Sequence, residues 1–298
     1  MEVINMKTYT INNDILSVTL SDIGGEPLSV KKDGHEYLWH RDPAYWRSSA
    51  PLLFPTVGRL RGGEWSHGGK TYPMGNHGFA RGQQMNAVAM RDFAEFTLKD
   101  NEETRSSYPF AFSLRRRFKL AKNALIETIT VTNTDDCDIF FGMGLHPGFM
   151  LPEGAARLTV ECFEEPRRQL LSPRFLMADE SEPYVLRDGK YIDLDNSLFD
   201  NDAIILSGVR EVTLESPDSE RSVKVSFPDA NYVGFWQPMH TDAPFLCIEP
   251  WQSLPASDAP DGAPVDEISE RKGFIKLEPG RSYNFTCTYI FNYTYIFN

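Results

Sequence analysis

The chain has 298 residues, with 42 acidic against 30 basic side chains, a formal net charge of −12, 41% hydrophobic and 24% charged residues. That balance is ordinary for a globular protein and lacks the basic footprint that phosphate backbones and anionic bilayers demand, so no nucleic-acid or membrane partner is expected. No apolar run is long enough to cross a bilayer, and the opening MEVINMKTYTINND (Met6 reads as an alternative start) has no secretory pattern, which predicts a cytoplasmic location.

In chain order the dominant period is two. Leu16, Val18 and Leu20 alternate with Ser17, Thr19 and Ser21, and turn signals follow at Asp22-Ile-Gly-Gly and Lys32-Asp-Gly. The segment PLLFPTVGRLRGG, 51–63, departs from this pattern. Its prolines and glycines surround Arg59 and Arg61, whose guanidinium forks suit an oxygen-rich ligand as well as plain solvent. His67 precedes Gly68-Gly69 and reads as part of a hairpin turn rather than a site. In GNHGFARG, 75–82, His77 stands before a glycine that permits close approach of a ligand or backbone.

Further on, Leu114, Phe118 and Leu120 alternate with Arg115, Arg117 and Lys119, and Arg116 alone breaks the apolar side. In GMGLHPGF, 142–149, His146 follows the strand-like run Ile139–Phe141 and precedes a proline, so it is expected where a strand stops, a common place for reactive groups. Val223, Val225 and Phe227 form another alternating set. In FLCIEPWQSLPAS, 245–257, Glu249 ends an apolar run; a carboxylate there is either paired or kept for a task. Trp251 beside it offers an apolar plate for a sugar face. The stretch PASDAPDGAP, 255–264, is expected as a surface loop. Tyr283, Phe285, Cys287 and Tyr289 make a last strand, and Thr-Tyr-Ile-Phe-Asn occurs twice, at 288–292 and 294–298, where one strand needs a single copy.

Many short strands with frequent turns, and no amphipathic helix of three or more turns, predict an all-β sandwich or barrel. Cys137, Cys162, Cys247 and Cys287 are widely spaced and are expected as reduced core residues, neither a disulfide frame nor zinc ligands. The six histidines contain no pair at i, i+2 or i+4, so no local metal pair is written into the chain. Dinucleotide, P-loop and nucleophile-elbow fingerprints are absent. Two imidazoles, a carboxylate, a guanidinium and aromatics suit proton transfer to and from a neutral polyol.

The order and spacing of FPTVGRLRGG, HGFAR, LHPGF and CIEPW resemble the aldose 1-epimerase (galactose mutarotase-like) family, and more closely its LacX-like branch, from about Tyr9 to Tyr289. The resemblance implies one large antiparallel β-sandwich domain over 1–298, with residues beyond about 292 as a tail, and no metal or organic cofactor. It implies an isomerase that interconverts the anomers of a free hexose, with Glu249 as general base, His146 as general acid, His77 orienting the sugar and Arg59 gripping its hydroxyls. The family's aspartate corresponds to Asp202 in LFDNDAII, in preference to Asp200. Gly-Arg and His-Gly-Phe replace the family's Asn-Arg and His-Gly-Gly, and Trp251 replaces a glutamine, which bears on substrate identity; Arg81 is a candidate phosphate partner should the sugar be phosphorylated. Rival readings are a non-catalytic carbohydrate-binding or sensor protein, and a glycoside hydrolase using Glu249 with Asp202. A monosaccharide partner, in a monomer or homodimer, is expected.

Overall fold

The structure, a computed structural model, describes residues 6–293, so the second copy of Thr-Tyr-Ile-Phe-Asn lies outside the described residues. Period-two alternation dominates as the sequence predicts. Leu114, Arg116, Phe118 and Leu120 face inward on Phe112–Ala121, and Phe285, Cys287, Tyr289 and Phe291 do so on Ser282–Tyr293. Alternation of this kind buries one face of each strand and leaves the other to water. The sole α-helix among the described residues is the short Glu102–Ser107, started by a capping box between Asn101 and Thr104. Among the described residues no helix is long and apolar enough to cross a membrane.

Two sheets make the body of the fold. Thr8–Asn12, Leu16–Ser21, Pro27–Lys32 and His35–Glu36 form a four-stranded antiparallel sheet. A fifteen-stranded antiparallel sheet begins with Leu52–Leu53, Gly144–Leu145, Phe245–Trp251, Tyr232–Trp236 and Ile204–Glu215, and continues through Arg221–Ser226, Ser282–Tyr293, Ala124–Asn133, Phe112–Ala121 and Phe93–Lys99 to Asn86–Ala89. The turn glycines do what their positions require. Gly68 and Gly69, at φ +57 and +76, close the hairpin Glu64–His67/Lys70–Pro73, and Asp33-Gly34 closes another, both with positive φ at the two central residues.

One connected apolar core runs from Ile11 through Phe96, Phe118 and Ile129 to Phe291, so the inner faces of both sheets share it and the architecture is an antiparallel β-sandwich. Arg116, the break in the apolar side, is wholly buried. Its Nε donates to Glu127 at 2.7 Å, and its two terminal nitrogens donate to the carbonyls of Gly24 (3.0 Å) and Ala50 (2.9 Å). The Tyr289 hydroxyl donates to the other Glu127 oxygen at 2.7 Å. A buried charge persists only when paired and hydrogen-bonded, and this one ties the small sheet's turn to the large sheet.

Two expectations need correction. All four cysteines are free, but only Cys247 and Cys287 are core residues. Cys137 is exposed in a turn beside Asp135 and Asp136, and Cys162 is half-buried where the pairing of Arg157–Leu171 with Ile204–Glu215 shifts register. The proline-rich loop is not wholly superficial either. Pro255 and Ala256 are buried, and only from Ser257 onward does the chain turn outward. Pro255 is drawn in because it packs against Gly58, where any Cβ would lie 2.4 Å from the proline ring.

Candidate active site

Phe245–Trp251 is buried along its whole length, and its alternation separates two jobs. Leu246 and Ile248 enter the main core, whereas Phe245, Cys247, Glu249 and Trp251 share the opposite face. Room for Trp251 comes from glycines on the flanking strands: a Cβ on Gly144 would meet its indole at 2.6 Å, and one on Gly234 at 3.1 Å.

The neighbouring strands deliver the other groups to the same place. His146 sits between Gly144–Leu145 and Gly148–Met150, both paired with the Glu249 strand, so the imidazole is carried to the carboxyl by sheet register. Its Nε2 lies 3.2 Å from Glu249 Oε2. This is close approach without hydrogen-bond alignment, for Glu249 Oε2 and His146 Nδ1 are both buried without a hydrogen-bond partner. The Trp46 ring stacks on the imidazole at 4.8 Å, and Trp236 meets it edge-on at 5.5 Å. Burial pushes the Glu249 carboxyl well above the usual carboxylate range, and the charge of Asp202 pushes the same way. Burial likewise holds the His146 imidazole well below its ordinary value, helped by His77.

His77 arrives from a different part of the chain. Its backbone is left-handed, at φ +64, and the following Gly78 lies so close to the Phe54 carbonyl that a Cβ would be 2.2 Å from that oxygen. Gly78 pairs with Phe54 in an isolated bridge, which fixes 75–80 against 54–58. The His77 Nδ1 accepts the Gly58 N–H at 3.1 Å, so a neutral ring carries its proton on Nε2 and can donate it. Its ring centre is 5.5 Å from that of His146. Burial, then the charges of Arg81 and Arg59, bring its pKa down to about 3.

These side chains line one open cavity with about 240 Å³ of water-accessible space, near the small end of the range for small-molecule sites. Glu249, His146, His77, Arg59, Asp202 and Trp251, all expected from the sequence, are on its wall, and so is Arg81. Arg61, and the set-aside His67 and Asp200, point elsewhere. Arg61 pairs with Asp266, His67 contacts Glu267 at 2.9 Å, and Asp200 turns to His240 at 3.0 Å. Asp202 precedes Ile204–Glu215 in a left-handed conformation, φ +70. Burial raises its pKa, while the Trp236 indole and Arg59 pull it back. Arg59 lies over the Phe175 ring at 4.7 Å. For Arg81, burial lowers the pKa and Glu26 opposes this.

Trp46, Trp236, Asn76 and Phe175 also line the cavity and were missed. Trp236 had a signal, because Tyr232, Gly234 and Trp236 alternate on a strand whose register pairs Gly234 with Glu249. Trp46, in HRDPAYWR, had none. Two clusters among the described residues have the donor types for a metal: His146, Cys247 and Glu249 in the interior, and Asp135, Asp136 and Cys137 near the surface.

The family model described as "Aldose 1-epimerase" matches residues 7–290. The chain belongs to the aldose 1-epimerase family. Within this family it is similar to the LacX proteins of Lactococcus lactis subsp. lactis, plasmid and chromosomal, each 32% identical over 270 residues that cover 84% of this chain and 89% of the relative. Among solved structures it resembles a galactose mutarotase related enzyme from Lactobacillus acidophilus, with a TM-score of 0.90, 33% identity and coverage of 97% of this chain and 99% of that one. A galactose mutarotase-like protein from Lactobacillus casei ATCC 334 superposes equally well, TM-score 0.90, at 28% identity with 96% and 100% coverage. The sandwich is thus the galactose mutarotase-like fold of this epimerase family.

Proposed function

We propose that the protein is an aldose 1-epimerase that interconverts the α and β anomers of a free hexose by acid–base ring opening. The observation that supports it most is the contact of Glu249 and His146, an acid and a base 3.2 Å apart in a cavity of small-molecule size, with His77 beside them. Anomer exchange needs one proton removed from the C1 hydroxyl and one delivered to the ring oxygen. The ring opens, the C1–C2 bond rotates, and closure reverses both transfers.

The pair needs a single proton for this. With Glu249 as carboxylate and His146 as imidazolium, Glu249 takes the hydroxyl proton while His146 protonates the ring oxygen. The open-chain aldehyde then faces a carboxylic acid and a neutral imidazole. That neutral form is the one burial favours in the empty cavity, since it raises the first pKa and lowers the second. Binding a pyranose brings hydroxyl dipoles against the pair, and these support the ionic form. His77 donates from Nε2 to a sugar oxygen, Asp202 accepts from a hydroxyl, and Trp251 presents its indole to a sugar face.

The test is polarimetry on freshly dissolved α-glucose and α-galactose. The wild-type chain should speed the approach to equilibrium rotation. Glu249→Gln should abolish the acceleration with sugar affinity retained, and His146→Asn should lower kcat by about 10²- to 10⁴-fold, the usual worth of one positioned acid or base. Saturable sugar binding with no acceleration by the wild type would favour a binding protein instead.

A further inference from the structure

Behind the acid–base pair, one pleat along the strand from Glu249 and on the same face, stands the fully buried thiol of Cys247. One ligand atom each from His146, Cys247 and Glu249 falls within 4.8 Å of the other two. The arrangement is more than a cluster, because Glu249 Oε2, the carboxyl oxygen that faces His146 Nε2, is a buried polar atom without a hydrogen-bond partner, on a residue only 1% exposed. Imidazole, thiolate and carboxylate are the three donor types that zinc-group cations take, at about 2.0–2.3 Å. Two such ligands on one tetrahedral ion stand roughly 3.4 Å apart at those bond lengths, close to the 3.2 Å between His146 and Glu249.

We propose that His146, Cys247 and Glu249 form a binding site for a thiophilic divalent cation of the zinc group, which captures the acid–base pair. The thiol closes on the ion by rotation about its Cα–Cβ bond. Cys247 gives up its proton to solvent, as does Glu249 where it holds one, and the thiolate and carboxylate together neutralise the dication. No electron changes hands. The fourth coordination position opens on the cavity and takes water, the arrangement of sites with three protein ligands. The ion holds both groups that would move the sugar's protons, so it inhibits; that consequence rests on the acid–base reading above, whereas the binding does not.

The experiment uses the full chain carrying Cys137→Ser, which dismantles the surface cluster of Asp135, Asp136 and Cys137. Cd²⁺ alone is the probe, followed by the ultraviolet thiolate-to-cadmium charge-transfer band. One ion per chain should bind with this band, and the same Cd²⁺ concentration should suppress mutarotation. Adding Cys247→Ser should remove the band and weaken Cd²⁺ binding at least about tenfold, the lower end of what losing even a supporting group costs a metal site. Mutarotation without metal should be unchanged in that variant. Cys247→Ala is read alongside it, and whichever variant keeps the wild-type circular dichroism decides. A band that persists without Cys247 places the ion on another thiol and overturns the proposal, as does no band in the Cys137→Ser chain. Because the band is read without sugar, failure of the epimerase reading leaves its result intact.

Discussion

The carboxyl of Glu249 and the imidazole of His146 are each moved away from their charged forms by the same burial, and the pH behaviour of the site follows from that. A second proton disables the pair by giving carboxylic acid with imidazolium. Since His146 is held well below its ordinary value of 6.5, acidification should damage kcat/KM only well under pH 6.5. Removing the last proton disables it from the other side, and the raised Glu249 pKa moves that alkaline limb above the normal carboxylate range. A mutarotation profile with its acid limb displaced below pH 6.5 and its alkaline limb displaced above the ordinary carboxylate range is the expected result. A limb centred at 6.5 would mean that the imidazole titrates as though exposed.

At the scale of the strand, the interior charge at Arg116 shows how one side chain joins two sheets. It sits on the buried face of Phe112–Ala121, bonded to Glu127 on the adjacent strand and to the carbonyls of Gly24 and Ala50. Glu127→Gln would leave a buried guanidinium without its counter-charge and should lower stability by about 3–5 kcal/mol. Replacing both partners, Arg116→Met with Glu127→Leu, should recover part of that loss, because apolar groups can match a buried ion pair but leave the Gly24 and Ala50 carbonyls and the Tyr289 hydroxyl without partners. Urea midpoints at unchanged m-value measure both effects. The interruption by Arg116 was legible in the sequence, because one charged residue stands out in an alternating run. Its carbonyl partners were not, because Gly24 and Ala50 come from distant parts of the chain, as does Tyr289, whose hydroxyl completes the bonding of Glu127.

For the whole molecule, the half-buried His77 sets a stability term with a definite sign. An unfolded His77 takes up a proton below about pH 6.5, whereas the native one resists protonation down to about 3. Between those values the unfolded state binds more protons, so stability falls as the pH drops through this window and levels off below it. His77→Asn should flatten the fall, read as urea midpoints between pH 7 and 4. Glu249 acts in the opposite sense. Its raised pKa keeps a proton on the native state that the unfolded chain has released, so its contribution declines as the pH rises above the ordinary 4.5.

The sequence by itself determined the all-β character, since alternation and turn glycines act through nearest neighbours and need no distant partner. It also marked Glu249, His146 and His77, because each stands in a short motif whose glycine, proline or apolar run departs from the strand background. Only the tertiary structure decided which groups share the cavity. Arg59 and Arg61 are two residues apart, yet one lines the cavity and the other pairs with Asp266. Asp202 and Asp200 divide in the same way. Trp46 reaches His146 from a hundred residues upstream, by a packing contact that no local pattern encodes. Local composition fixes what a segment can become, whereas the placing of side chains from neighbouring strands and several distant loops around one void follows from sheet register and long-range packing.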